Sequence, residues 1–310
     1  MRVLRGLKDA GRLTGPAVVT IGVFDGVHVA HQQLVRATVR LAHRLNARSV
    51  VITFDPDPRQ VLDPAHAPPA LMPMAERLRR LQALGVEATV IVPFSKAFAR
   101  TAPRAFIANV LAKRLHAAAV VVGDAFAFGR ARTGDMAMLR RLGPSLGLRV
   151  LSVGPVMRGG QPVSSSRIRR LIASGQLAQA RRLLGAPPRV YGVVVRGAGR
   201  GRSLGAPTAN IAAGPQALPP QGVYAVRLHA GARTWPGVMN FGTRPTFGPG
   251  ALVCEVHVLG RPGTLRGRAV SVSLCARLRG ERCFPSRQAL ARQIRRDIAR
   301  TRRLLATHPS

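Results

Sequence analysis

Lysine, acidic residues and cysteine are all scarce in this 310-residue chain. Of its 48 basic residues only Lys8, Lys96 and Lys113 are lysines, against 12 Asp and Glu, so the formal charge of +36 is carried by arginine. The arginines run from end to end rather than in one arm. They accompany abundant Ala, Gly and Pro and little Asn, a pattern of GC-rich codons more than of selection for an anionic partner. Cys254, Cys275 and Cys283 are odd in number and lack metal-ligand spacing, which argues against a disulfide framework or a zinc site. No apolar run approaches the ~18 residues of a membrane helix, and Lys8 and Asp9 precede any long one. A cytoplasmic protein with neither signal peptide nor membrane partner is expected. There is no aromatic-rich strand or recognition-helix pattern, so no specific nucleic acid is expected either.

What is present is a 46% hydrophobic content, enough for two ordinary cores. Apolar runs at Ala17–Ile21, Ser49–Phe54, Ala88–Pro93, Ala118–Val122 and Leu148–Val153 read as buried strands. Between them His31–Leu45, Ala75–Leu84, Pro103–Leu115 and Met136–Leu142 read as helices; in the first, Leu34, Ala37, Leu41 and Leu45 recur at helical spacing. The alternation predicts an α/β domain built on a doubly wound parallel sheet, with ligands beyond the carboxyl ends of its strands. Two short helices are expected at Ser164–Ala173 and Leu177–Leu184. Gly185-Ala-Pro-Pro188 then breaks the pattern and sets the expected domains at 1–185 and 186–310. Short β-rich runs follow at Val190–Val195, Gly222–Leu228, Leu252–Leu259 and Ala269–Leu278. They predict a small antiparallel β-barrel, followed by a C-terminal helix with Leu290, Ile294, Ile298 and Leu305 on one face.

Two stretches carry the chemistry. In Gly22-Val-Phe24-Asp25-Gly26-Val-His28-Val-Ala-His31 the glycines let backbone approach a ligand, and the helix that follows offers free N–H groups to phosphate. His28 and His31 can both donate to it as negative charge grows; a structural or metal-binding pair has the same spacing. Val163-Ser164-Ser165-Ser166-Arg167-Ile168-Arg169 places hydroxyls at a helix start and a guanidinium on its first turn, suited to a triphosphate or to plain capping. Gly123-Asp-Ala125-Phe126-Ala-Phe128-Gly129 pairs turns with aromatics that suit a flat ligand or a core.

The second stretch is Gly197-Ala-Gly-Arg200-Gly-Arg-Ser-Leu-Gly205-Ala-Pro207-Thr208-Ala-Asn210, a glycine-rich arch ending in two side-chain oxygens of the kind Mg2+ accepts beside phosphate. Downstream lie Gly237-Val-Met-Asn240-Phe-Gly242-Thr-Arg244, read as a loop, and Glu255-Val-His257, read as a strand with both side chains on one face. Taken alone, Glu255 is equally a surface carboxylate paired with an arginine.

Together these segments resemble the bifunctional riboflavin kinase/FAD synthetases. That family carries a G-x-F-D-G-x-H-x-G-H loop, a T-F-x-P-H-P segment, a G-x-[DN]-F-x-F-G segment, an S-S-T-x-I-R helix start and an R-G-R-x-L-G-x-P-T-A-N signature. The resemblance spans essentially the whole chain. It implies an N-terminal nucleotidyltransferase-like domain that joins FMN to ATP, giving FAD, and a C-terminal riboflavin kinase domain, with ATP as co-substrate and Mg2+ for both steps. By it His28 and His31 hold the ATP phosphates within the Gly22, Phe24 and Gly26 loop shaped by Asp25, and Ser164 and Arg169 bind the triphosphate from the other side. Phe126 and Phe128 line the flavin. Gly197, Arg200 and Gly205 hold phosphate, Thr208 and Asn210 the metal, Glu255 serves as base or orienting group, and Asn240 and Arg244 contact nucleotide or flavin.

The chain departs from the family at Ala30, Asp57, Ala125 and Ser166, where the motifs have Gly, His, Asp or Asn, and Thr. After Leu259 it lacks two acidic residues and a tyrosine. Two other expectations stay open: a riboflavin kinase whose first domain no longer transfers adenylyl groups, and a nucleic-acid-binding protein on a retired enzyme scaffold, motivated by charge alone. Self-association is allowed for.

Overall fold

The computed structural model describes residues 1–197, 208–243 and 252–306. The chain divides into two compact units, Met1–Pro68 with Pro73–Ser165, and Pro69–Met72 with Ser166–Ser310. This division falls earlier than the boundary expected at 185. The helical segment after Ser165 groups with the barrel, and Leu177 is buried in the barrel's own core.

The first unit runs β1 (Arg2–Arg5), α1 (Leu7–Ala10), β2 (Ala17–Ile21), α2 (Val29–Arg44), β3 (Arg48–Asp55), α3 (Pro58–Leu62), α4 (Met74–Ala83), β4 (Ala88–Pro93), α5 (Lys96–Ala99) and α6 (Pro103–Ala105). A wider-wound π-helical segment, Phe106–Arg114, continues α6; then come β5 (Ala117–Gly123), α7 (Met136–Leu142), β6 (Arg149–Val153) and a small hairpin of β7 (Met157–Arg158) and β8 (Gln161–Pro162). The six-stranded sheet has the order β1-β4-β3-β2-β5-β6, with every pairing parallel. All of β2 is buried, as a strand covered on both faces requires. From β2 the chain builds outward to β3 and β4, then returns to add β5 and β6 on the other side. The direction therefore reverses beyond Ile21 and Gly123, where a parallel sheet leaves a crevice for a ligand. The two loops that leave those strand ends carry the histidine and the phenylalanine motifs. β1 was not anticipated: four residues with two arginines give little periodic signal, yet it pairs along β4.

The second unit contains α8 (Ser165–Ala173), whose first residue belongs to the first unit, and α9 (Leu177–Leu184). It continues with β9 (Arg189–Val195), β10 (Thr208–Ala213), β11 (Gly222–Ala230), β12 (Arg233–Thr243), β13 (Leu252–Val258), β14 (Ala269–Arg279) and α10 (Arg287–Ala306). Strands β10-β13-β12-β11-β14-β9 close into an antiparallel barrel. Tyr224, Val226, Met239, Phe241, Cys254, Val256, Val272 and Leu274 fill it, each burial worth roughly 1.5–3 kcal/mol for an aliphatic side chain. A second cluster, Val223, Ala225 and Leu278 with Leu304 of α10, lies on the outer face. Asn240 was expected in a loop and lies within β12, because the closed barrel pairs that segment on both sides. Thr208 and Asn210, expected at the end of an arch, begin β10.

Candidate active sites

The Gly22–His31 loop is held from three directions. Thr53 Oγ1 of β3 donates to the Val23 carbonyl at 3.0 Å, Ser165 Oγ of α8 to the Asp25 carbonyl at 2.9 Å, and Gln32 Nε2 of α2 to the Val27 carbonyl at 2.9 Å. Alternate carbonyls are thus tied to different elements, which supports a backbone no isolated peptide would hold. Phe24 and Val27 have φ of 54° and 40°, conformations that cost of order 1–3 kcal/mol in a residue other than glycine. Gly26, at φ 87°, fits the same path without that cost. A Cβ on Gly22 would stand 3.2 Å from the Phe24 ring, which is buried.

His28 caps α2, accepting the His31 backbone N–H at Nδ1 over a long 3.4 Å. Its ring proton is then assigned to Nε2. The two imidazoles stack, with centroids 3.5 Å and planes 17° apart, and Phe24 meets His31 edge-on at 5.2 Å. His31 Nδ1 is buried without a hydrogen-bond partner. Burial first, then the neighbouring His28 and Arg77, holds its pKa well below the usual 6.5, so its resting form is neutral. Asp25 shapes the loop through its carbonyl, while its buried carboxylate lies 3.8 Å from the guanidinium of Arg77 on α4. Ala30, where the family has glycine, is the second residue of α2 and has no positive φ, so its methyl is accommodated. Asp57 caps α3 by accepting the Arg59 N–H at 2.9 Å.

Ser164 precedes α8, and Arg169 lies within it in the second unit, its Nε donating to the Pro69 carbonyl at 2.7 Å. Phe126 and Phe128 stack at 5.4 Å, but Phe128 is buried against Phe106 and backs Phe126 from the core. Of the two, Phe126 retains partial exposure. It is one end of an aromatic chain that runs through Phe128, Phe106, Phe98, Phe94 and Phe54. Phe54, Phe94 and Phe98 were missed by sequence reasoning because each sits at the end of a different element. Only the sheet brings them together. Ala125 is exposed in the turn after β5.

In the barrel, register brings the second set of candidate residues together. Glu255 of β13 pairs opposite Asn210 of β10 on one side and Asn240 of β12 on the other. His257 pairs with Thr208 in the adjacent row of the same face. Cys254 and Val256 point into the core, and burial pushes the Cys254 thiol up to about 12, which removes it from nucleophilic chemistry. The row Asn210, Glu255, Asn240 therefore lies on the outer face, and next to Asn240 stands Val223 of the cluster that includes Leu304 of α10. Gly197 lies against Asn210: a Cβ there would stand 1.8 Å from Asn210 Nδ2. Arg200, Gly205 and Arg244 lie outside the described residues. The turn after Leu259, which lacks the family's acidic residues, is anchored by Leu265 in the barrel core and by the Gly267 N–H on the Val194 carbonyl at 2.8 Å. Among the described residues no group of three or more His, Cys, Asp or Glu side chains is arranged to hold a metal. The oxygens of Asn210, Thr208 and Glu255, close in register, are nevertheless hard donors of the type Mg2+ takes.

Comparison with known proteins agrees with this division of chemistry. Residues 12–167 match the family model for FAD synthetase and residues 184–305 that for riboflavin kinase. A bifunctional riboflavin kinase/FMN adenylyltransferase of Escherichia coli strain K12 is 37% identical over 299 residues, 96% of each chain. Its counterpart in Pseudomonas fluorescens is 35% identical over 307 residues, 99% of this chain and 98% of that one. A crystal structure named as a macrolide-efflux protein from Streptococcus pneumoniae matches with a TM-score of 0.87 at 31% identity, covering 97% of this chain and 99% of that one. No helix among the described residues here is long and apolar enough to cross a membrane. With both family models matched and relatives aligned over nearly its whole length, the chain belongs to the bifunctional riboflavin kinase/FMN adenylyltransferase family.

Proposed function

We propose that this chain converts riboflavin and ATP to FMN in the barrel and FMN and ATP to FAD at the switch point of the parallel sheet, each step with Mg2+. The observation that carries the kinase half is the register placing Glu255 between Asn210 and Asn240. There Glu255 orients the terminal ribityl hydroxyl and accepts its proton as that oxygen bonds the γ-phosphorus of ATP. The bond from the γ-phosphorus to the bridging oxygen breaks and ADP leaves. Asn210 and Thr208 hold Mg2+, which when bound supplies charge neutralisation on the phosphates. Asn240 positions the hydroxyl or the flavin.

At the first site a phosphate oxygen of FMN attacks the α-phosphorus of ATP and pyrophosphate departs, with no covalent enzyme intermediate. The tethered loop and the α2 N-terminus receive the ATP phosphates, His28 donates through Nε2, and His31 donates a ring N–H as negative charge accumulates. Ser164 binds the triphosphate. Phe126, backed by Phe128 and the aromatic chain, offers its face to the isoalloxazine.

The enzyme acts in the cytoplasm on small molecules, without membrane or specific nucleic-acid partners, and self-association is compatible with both reactions. The test is to incubate the protein with riboflavin, ATP and Mg2+, and in parallel with FMN, and to separate the flavins by chromatography. FAD from both reactions is expected. FMN alone would leave only the kinase, and neither product would remove both assignments.

A further inference from the structure

Arg77 lies on α4, and arginines on a helix of this kind ordinarily face water. The structure buries it instead. Its side chain is 7% exposed and that of Asp25 is 4% exposed, and the two lie 3.8 Å apart. A buried ion pair is a costly way to stabilise a fold, since apolar side chains of the same volume do as well or better. A charge kept in such a place therefore calls for another explanation. Here Asp25 belongs to the loop that carries His28 and His31, its carbonyl is fixed by Ser165, and the loop is strained at Phe24 and Val27. The neighbouring positions of α4 behave differently: Glu76 pairs with Arg79 and Arg80 of its own helix. Arg77 instead reaches across to the loop.

We infer that Arg77 is a positioning residue for adenylyl transfer, acting through Asp25 to hold the Gly22–His31 loop in the geometry that receives the ATP phosphates. The inference rests on the reading of the first site as the adenylyltransferase centre. Lysine would supply the charge but not the broad planar fork of guanidinium, so Arg77→Lys retains part of the function. The charged and titratable groups that act on His31 are His28 and Arg77, and Arg77 in turn faces the Asp25 carboxylate. Because Arg77 is one of the causes that keep His31 neutral, its removal also moves the titration of His31 upward.

The experiment measures FAD formation from FMN and ATP across pH for the full chain and for Arg77→Gln, Arg77→Lys and Asp25→Asn/Arg77→Gln, with thermal unfolding of each. The double variant leaves no lone buried charge and serves where Arg77→Gln does not fold. Expected is a fall in kcat of about ten- to hundred-fold in Arg77→Gln. The limb of the pH profile governed by His31 moves upward, and Arg77→Lys recovers part of both. The double variant should be no slower than Arg77→Gln, as for residues acting as a unit. A folded variant with native rate and profile overturns the inference. So does a loss of rate with an unmoved profile, the mark of a merely structural role. No FAD from the wild-type chain would instead remove the reading of the first site, and the inference with it.

Discussion

The carboxamide of Asn210 lies over the α-carbon of Gly197, with Nδ2 only 1.8 Å from where a Cβ would stand. Gly197 was expected to hold phosphate, and its lack of a side chain also leaves space for Asn210. Gly197→Ala should push the amide out of its row beside Glu255 and slow FMN formation by about ten- to hundred-fold. FAD formation from supplied FMN should remain at the wild-type rate. Steady-state rates of the two reactions, measured separately, check this.

Glu255→Ala should abolish FMN formation at the level of detection of a loss of about 10²–10⁴-fold, the usual worth of a positioned acid or base. FMN binding and adenylylation in the other unit should persist. Unchanged FMN formation in this variant would remove Glu255 from its role.

The neutral state of His31 gives the first unit an acid sensitivity. In the folded chain its pKa is held well below 6.5, while in the unfolded chain it titrates near that value. The stabilisation is complete above pH 6.5 and is lost as pH falls from there toward the folded pKa. The slope is at most about 1.4 kcal/mol per pH unit, the limit for one proton. His31→Gln should flatten this part of the curve. Hydrogen exchange of α2 amides at pH 7.5 and 5.5 reports it locally, and an unchanged slope in the variant would assign the acid sensitivity elsewhere.

Ala125→Asn should raise FAD formation by up to about tenfold, the worth of one restored hydrogen bond of ~1.4 kcal/mol. Ala125 is exposed in the turn that leads to Phe126, so an amide there costs nothing in packing. Single-turnover adenylylation with FMN bound separates the gain in chemistry from any gain in affinity.

Local pattern was enough for the central strands of the parallel sheet, since Ala17–Ile21 and Ala88–Pro93 are apolar runs that make sense only buried on both faces. It was not enough for β12. Pro236, Gly237 and Gly242 interrupt that segment, and such residues ordinarily demote a strand. The barrel explains Gly237, where a Cβ would come within 2.9 Å of the His257 carbonyl. β10 was hidden for a related reason: Thr-Ala-Asn-Ile-Ala-Ala has weak intrinsic preference for strand and is held by neighbours on both sides.

The sequence by itself determined the alternation of elements, the family and the choice of candidate residues for phosphate, because those depend on periodicity and on motifs a few residues long. Tertiary structure alone decided that Arg77 lies under the histidine loop, that Phe128 supports Phe126 from the core, and that Asn210 and Asn240 flank Glu255. Arg77 and Asp25, like Glu255 and Asn210, lie far apart in the chain, and Phe128 is set in place by Phe106 of another element. Strand register and helix burial, which no local pattern contains, are what bring them together.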